Sequence, residues 1–423
     1  MNIRKIKNSL HKRRMIIWAM VVIVQKVNGL NGANQWMVNG YIKHFSVLFD
    51  VPVTGSIFGL PDRWLGLSSD RWRMDVRWRP ANLFDFNLAY DTVLRIQDPS
   101  LFTSGADVGF HTPGGYRFAD VSEYLMKPKS GESVGLLQNL DRIVASIHLG
   151  QTDVFIGRQA IAWGSGRVIN PTDVIAPFTF ESLDTEDRQG VDAIRVRIPV
   201  GWMGEVDAGF LFGTAGAWKN AAYLRARQSL WQTDIAMMIM QFRGNALVGW
   251  DFARSIGGAG TWLEAAWVLP DAFRKQSVDW KLVYWRLTAG SDYSFSNGLY
   301  GFLEYHFNGP GESRPEDYLK NTAQVAYRSG RVYLLAKHYA MIGGQYQISP
   351  LWTVQCQFLL NLNDRSFMIA PQISVSVAQN VDLSGGLFLG AGQAPSEASL
   401  LSSPRSEFGL YPDFAYCSFQ FYY

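Results

Sequence analysis

Apolar and polar residues alternate strictly through much of this chain. In RWRMDVRWRP, residues 71–80, Arg71, Arg73, Asp75, Arg77 and Arg79 hold the odd positions and Trp72, Met74, Val76 and Trp78 the even ones. A helix would scatter both sets around its circumference, whereas a strand sends alternate side chains to opposite faces, so the segment reads as a strand. Beyond the Pro80-Ala81-Asn82 turn, Phe84, Phe86, Leu88, Tyr90, Thr92, Leu94 and Ile96 oppose Asp85, Asn87, Asp91 and Arg95, completing a hairpin. The same period returns in Ile194, Val196 and Ile198 against Arg195 and Arg197, and in Trp352, Val354, Cys356, Phe358 and Leu360 against Thr353, Gln355, Gln357 and Asn361. Strands laid between the turns number about 18, or about 16 if one hairpin in 214–245 or 319–347 is merged.

Each strand has one greasy face and one charged face, and each face needs its own medium. A soluble sandwich would bury the first and wet the second; a membrane barrel would show the first to lipid and the second to a wet lumen. The connections favour the barrel. Pieces such as Gly150-Gln151, Gly201-Trp202 and Ala378-Gln379-Asn380 are short, whereas 98–140 and 164–190 are long. Short turns at one end and long loops at the other are the layout of a transmembrane antiparallel β-barrel, with both chain ends on the short-turn side.

Composition narrows the function. A net charge of +3 with 18% charged residues gives no basic footprint for nucleic acid. The first 24 residues are basic through Arg14 and apolar from Met15 to Val24, the order of a secretory signal and too short to span a bilayer. Cleavage after Gly29 or Ala33 would leave 34–423 as a single barrel domain; the alternative is retention as a short anchor. With Cys356 and Cys417 as the only cysteines, a disulfide scaffold and a thiolate metal site are excluded. Both fall on the greasy parity of strands three apart, beyond the reach of a bridge.

The last residues, DFAYCSFQFYY, alternate Phe419, Phe421 and Tyr423 with Ser418, Gln420 and Tyr422. They resemble the terminal strand by which Gram-negative outer-membrane barrels are recognised, which implies the barrel-assembly machinery as a partner. Residues 157–173, GRQAIAWGSGRVINPTD, resemble a motif of a broad, mostly uncharacterised set of such porin-like barrels; Gly157, Arg158, Gln159, Trp163, Gly164, Asn170, Pro171 and Asp173 carry the match. The resemblance implies a bacterial outer-membrane location more than any substrate. Read physically, Arg158 should face the lumen, because a cation on the lipid face costs roughly 2–4 kcal/mol. Trp163 then falls on the other parity, near the outer interface, and the motif braces a loop in preference to touching solute.

No chemistry announces itself. The 6 histidines show no paired-ligand spacing, and there is no nucleophile elbow or phosphate loop, so no metal, cofactor or enzyme activity is expected. Ser, His and an acid could still converge on a barrel wall, so a wall hydrolase stays as the last of four readings. The first is a passive channel for small polar or anionic solutes. Parity lines it with Arg73, Arg77, Asp91, Arg95, Arg158, Arg195, Arg197, Arg225, Arg227, Glu264 and Glu304, with arginine in excess. The others are a part of a hydrophobic-compound or polymer export system and a non-conducting surface or adhesion barrel. Residues 98–140, too long for a hairpin loop and rich in apolar groups, are expected to fold inward and narrow the bore.

Overall fold

The computed structural model describes residues 35–51, 64–104, 115–118, 124–214, 219–274, 278–321, 323–394 and 404–423. The proposed signal, 1–33, lies outside the described residues. The chain opens with β1 (Gln35–Asp50), β2 (Trp64–Ala81), β3 (Phe84–Gln97), the three-residue β4 (Tyr124–Met126) and β5 (Val134–Leu149). It continues through β6 (Thr152–Gln159), β7 (Val191–Val200), β8 (Gly204–Leu211), β9 (Ala221–Leu230), β10 (Thr233–Phe242) and β11 (Asn245–Ile256). Then follow β12 (Ala259–Leu269), β13 (Tyr284–Ser294), β14 (Leu299–Asn308) and β15 (His338–Ser349). The last four are β16 (Trp352–Asn361), β17 (Phe367–Ala378), β18 (Val381–Ala391) and β19 (Asp413–Tyr422).

Of these 19 strands, β4 pairs only with β5, leaving 18 in the wall. Every wall strand is antiparallel to its neighbours, and β1 bonds both β2 and β19, so the sheet closes on itself. Closure removes the sheet edges that would otherwise expose unpaired backbone. The seam is fastened at the chain end: Gly40 and Tyr423 exchange backbone hydrogen bonds of 3.0 Å, and the Tyr423 hydroxyl donates to the Arg73 carbonyl at 2.8 Å. A side chain at Gly40 would meet that hydroxyl, so the close approach requires glycine.

The hairpins are tight at one end of the barrel. Trp231 and Gln232 both have positive φ, as do Gly257 and Gly258, the conformation that two-residue hairpin turns demand. At the other end the connections run to 98–133, 160–190 and 309–337. The merged, 16-strand alternative fails because 233–242 and 338–349 each form a separate wall strand.

Parity holds on the outer face. Ile156, Ile194, Leu224, Ile239, Leu303 and Ile342 all point outward and are exposed. Aromatic groups gather near both rims: Trp36, Trp78 and Phe86 stack at the short-turn end, and Trp250, Trp285, Trp267 and Trp280 form a ladder toward the loop end. Such girdles mark the two boundaries of an apolar band.

The inner face is less uniform than alternation suggests. Near the short turns it carries Arg195, Arg197, Arg225, Arg227, Ser376 and Gln420, but near the loops it carries Val47, Phe49, Met240, Phe242, Leu359, Phe388 and Phe414, all buried. Loop residues pack onto these inward apolar groups in two clusters, one around Tyr116, Ile161, Trp163 and Val174, the other around Leu101, Ile169, Tyr318 and Leu334. The hydrophobic effect therefore draws the loops into the barrel mouth.

Candidate functional site: the loop across the bore

The segment that crosses the bore is 160–190, which connects β6 to β7. Its first leg is fastened to the far wall. Glu304 on β14 accepts backbone N–H bonds from Arg167 at 2.7 Å, Val168 at 3.2 Å and Ile169 at 3.1 Å, and one from the Trp262 indole at 3.0 Å. Glu264 on β12 accepts from the Thr172 amide at 2.8 Å and hydroxyl at 2.7 Å. Three successive backbone amides turned toward one carboxylate form an anion-binding nest. Glu264 and Glu304 thus point inward, as parity requires, but loop backbone rather than water meets them, and both are fully buried.

The returning leg is fastened to β1 and β2. Asp184 takes Lys43 at 2.8 Å and Arg71 at 2.8 Å, and Tyr41 donates to Asp187 at 2.6 Å. Lys43 and Arg71 hold the Asp184 carboxyl below its usual range in spite of its burial. Gly190 then donates to Asp141 on β5 at 3.0 Å.

The motif residues build the base of this loop. Val154 and Ile156 face outward, so strict alternation would turn Arg158 outward as well; Gly157, at φ +120°, breaks the alternation. Arg158 is buried in the wall, bound to both carboxylate oxygens of Asp192 at 2.7 and 3.0 Å and to the Leu140 carbonyl at 2.8 Å. Gln159 donates to the Ala193 carbonyl at 3.3 Å. Trp163 departs from expectation: it is not at the outer interface but inside, edge-on to Tyr223 with ring centres 4.6 Å apart. The strand ends at Gln159, so parity no longer governs residue 163. Gly164 has φ +112°, and any side chain there would strike Asn170. The Pro171 carbonyl accepts from Arg286 at 3.4 Å, and Asp173 takes Arg188 at 2.5 Å. Burial pushes the Asp173 carboxyl up to about 6 although Arg188 opposes it.

Residues 98–140 are described in part. A short helix runs from Pro99 to Ser104, β5 begins at Val134, and 105–114 and 119–123 lie outside the described residues. Tyr116 and Arg117 are buried in the barrel, where Arg117 donates to the Gly190 carbonyl at 3.0 Å and to Asn139 at 2.7 Å. These two residues buttress the crossing loop.

The other residues assigned to the lumen separate into paired and unpaired. Arg73 is buried between Asp91 at 3.2 Å and Asp141 at 3.0 Å, and Arg71 shares Asp91 at 2.9 Å. Arg195 grips Asp207 at 2.9 and 2.6 Å, and Arg197 pairs with Glu205. Arg95 is half-buried and Arg77 stands in the open with Asp75 at 3.8 Å. Arg225 and Arg227 form no ion pair among the described residues, and Arg227 is exposed.

Beside the crossing loop lies a cavity of about 250 Å³, closed by the loop, by β16–β19 and by the 309–337 connection. Arg167, Arg188, Arg286 and Arg331 line it against the single carboxylate of Asp173, with Tyr333, Gln355, Gln357 and Gln372 around them. Five of its buried polar atoms have no partner: Asn170 Oδ1, Asp173 Oδ1, Arg286 Nε, Arg331 Nε and Tyr333 Oη. Burial and the neighbouring Arg243 push the Arg331 guanidinium down to about 10, the mark of a cation short of counter-charge. Arg331 and Tyr333 sit in a connection without regular alternation, so parity could not reach them; an arginine at positive φ was the only local oddity, and it is visible only in the structure.

No protein-family model matches this sequence, and no curated protein does. Solved structures do share its shape. Pseudomonas aeruginosa OccK9 (OpdG) superposes with a TM-score of 0.58 at 10% identity, over 92% of this chain and 98% of that one. Acinetobacter baumannii OccAB3 gives 0.54 at 8% identity over 92% and 99%, and the outer-membrane protein OpdK of Pseudomonas aeruginosa gives 0.52 at 7% over 92% and 98%. At such identities the likeness is one of fold: this chain is an 18-stranded antiparallel barrel of the bacterial outer-membrane kind.

Proposed function

We propose that the protein is a passive outer-membrane channel for small polar or anionic solutes, not an enzyme of the bore. The cavity beside the crossing loop carries the reading: Arg188 is paired with Asp173 and Arg167 with Asp292, which leaves Arg286 and Arg331 with no ion pair among the described residues, and buried donors there await acceptors. Buried polar groups are nearly always satisfied, so this set calls for water or a solute in the cavity. An excess of fixed cations raises the local concentration of anions, and opposed polar groups favour hydrated solutes over greasy ones. In this reading Arg225 and Arg227 act at the short-turn end, where neither forms an ion pair among the described residues, while Arg73, Arg158, Arg195 and Arg197 serve the wall through their carboxylate partners. The apolar outer face meets lipid, and the final strand, ending in Phe419, Phe421 and Tyr423, is the segment the assembly machinery would read.

The test is a planar-bilayer recording of the refolded full chain. Stepwise conductance with a reversal potential on the anion side of zero in a salt gradient is expected. Folded protein that gives no steps, or that prefers cations, would overturn the reading.

A further inference from the structure

The outward face of β1 and β2 holds a constellation the channel does not use. His44 Nδ1 lies 2.7 Å from Asp70 Oδ1, and His44 Nε2 lies 2.8 Å from Ser46 Oγ. An ionised carboxylate can only accept, so the ring proton sits on Nδ1, Nε2 offers its lone pair, and the Ser46 hydroxyl donates to it. Acid, imidazole and hydroxyl in this order activate a serine, and the arrangement is recognised by geometry rather than by chain order. Strand register produces it. His44 and Ser46 are two apart and share the outward face, while Asp70 stands directly opposite His44 and Ser68 directly opposite Ser46.

Its height matters. Trp36, in the aromatic stack at the short-turn rim, lies eight residues below His44 on β1. Eight residues rise about 26 Å along a strand, or about 20 Å along the membrane normal at the usual tilt, in an apolar band about 25 Å tall. Ile42 and Trp72 form the pair just beneath, and exposed Trp64 lies above. The serine therefore faces the outer boundary of the band, where lipid esters lie. His44 and Asp70 remain 37% and 28% exposed, open to a substrate arriving from the membrane.

We propose that Ser46, His44 and Asp70 hydrolyse long-chain acyl esters of lipids resting against this wall. Ser46 Oγ adds to the ester carbonyl carbon as its proton passes to His44 Nε2. The bond from that carbon to the alkoxy oxygen breaks, and the alcohol leaves with the proton. Water, deprotonated by His44, then adds to the acyl-serine, and the bond to Oγ breaks as the proton returns to Ser46. The balance is ester plus water giving acid plus alcohol, with no redox change. Asp70 fixes the tautomer and steadies the imidazolium, and the Ser68 hydroxyl is the neighbouring donor for the oxyanion.

The test uses refolded full-length protein with vesicles of diacyl phosphatidylethanolamine in one arm and of lipid A carrying acyloxyacyl chains in another, reading fatty-acid release. The arm that responds names the ester's source. A fluorophosphonate probe followed by mass spectrometry should place its adduct on Ser46. Ser46→Ala should reduce release to the protein-free level, and Asp70→Asn should lower kcat by about tenfold or more with KM little changed. Ser68→Ala should give a smaller loss. All three should migrate as folded barrels and conduct like the parent, because these residues face away from the bore. Folded parent protein that releases no fatty acid in either arm and takes no adduct at Ser46, or a Ser46→Ala variant as active as the parent, would overturn the proposal.

Discussion

Glu304 on the wall and Ile169 in the crossing loop meet inside the barrel: the carboxylate accepts the Ile169 amide at 3.1 Å, along with those of Arg167 and Val168. One side chain thus holds three backbone donors. Glu304→Ala would leave them unpaired in a buried place, at about 1–3 kcal/mol for each donor that water cannot reach. The loop should then detach, and single-channel conductance should rise and become noisier. Glu304→Gln, with one acceptor oxygen left, should fall between. Identical records from all three proteins would mean that the loop does not set the conductance.

Neutralising either an unpaired or a paired arginine should move ion preference, but only loss of a paired one should also cost stability. Replacing Arg225 and Arg227 together with Gln removes two cations that form no ion pair among the described residues. The reversal potential in a salt gradient should move toward zero. Arg195→Gln frees Asp207, which Arg195 now grips at 2.6 Å, and so adds net negative charge at the wall; its shift should also be toward cations, with a cost in stability of about 3 kcal/mol or more from the buried carboxylate left behind. A thermal melt separates the two cases.

Alternation revealed the wall because lipid imposes one chemistry on every outward position. It placed the strand containing Arg71 to Arg79 correctly, and it set Cys356 and Cys417 on the outer face, where both are exposed and free. It was blind wherever the inner face is apolar too. Phe414 and Phe388 point inward because loops, not water, meet them there, and nothing in residues 413–423 marks that change. The same blindness hid the fate of Glu264 and Glu304: a carboxylate that faces water and one that faces a loop have the same parity. Trp163 and Arg331 stand outside strands altogether. The pairing of His44 with Asp70 needed register between two strands, which the sequence of one strand does not contain.

Gly157 is a point where backbone geometry alone is decisive. Its φ is +120°, and a Cβ there would lie 2.1 Å from the Ile143 carbonyl oxygen. Gly157→Ala combines strain of about 1–3 kcal/mol with a clash against backbone that cannot yield. The yield of barrel that resists unfolding in cold detergent should drop sharply. Gly150→Ala is the control: it too has positive φ, +64°, but its Cβ would meet open space, so about 1 kcal/mol and normal assembly are expected. Equal yields from the two variants would show that the close approach at Gly157 does not matter.

The loops at the mouth should hold better in acid than in base, and Glu407 gives the sign. Its carboxylate is fully buried and accepts from Tyr339 Oη at 2.5 Å, Asn361 Nδ2 at 2.8 Å and the Leu335 amide at 2.9 Å, tying the 392–412 connection to 309–337. Burial pushes the group up to about 7, above its ordinary 4.5, because three hydrogen bonds do not replace lost hydration. The folded state therefore binds the proton more tightly than the unfolded state does. The stability this brings is complete below pH 4.5 and is lost as pH rises through 7, on the order of 1 kcal/mol per unit between them. Burial raises Asp173 to about 6 and Glu181 to about 7, so both add to the trend with the same sign. Hydrogen exchange at Leu335, corrected for its intrinsic dependence on pH, should show more protection at the acidic end of this window than above it. Glu407→Gln, permanently neutral, should flatten the difference. Protection that grows with pH in the parent would mean that the carboxylate is better satisfied when charged, and that the mouth is held by ion–dipole bonds and not in spite of them.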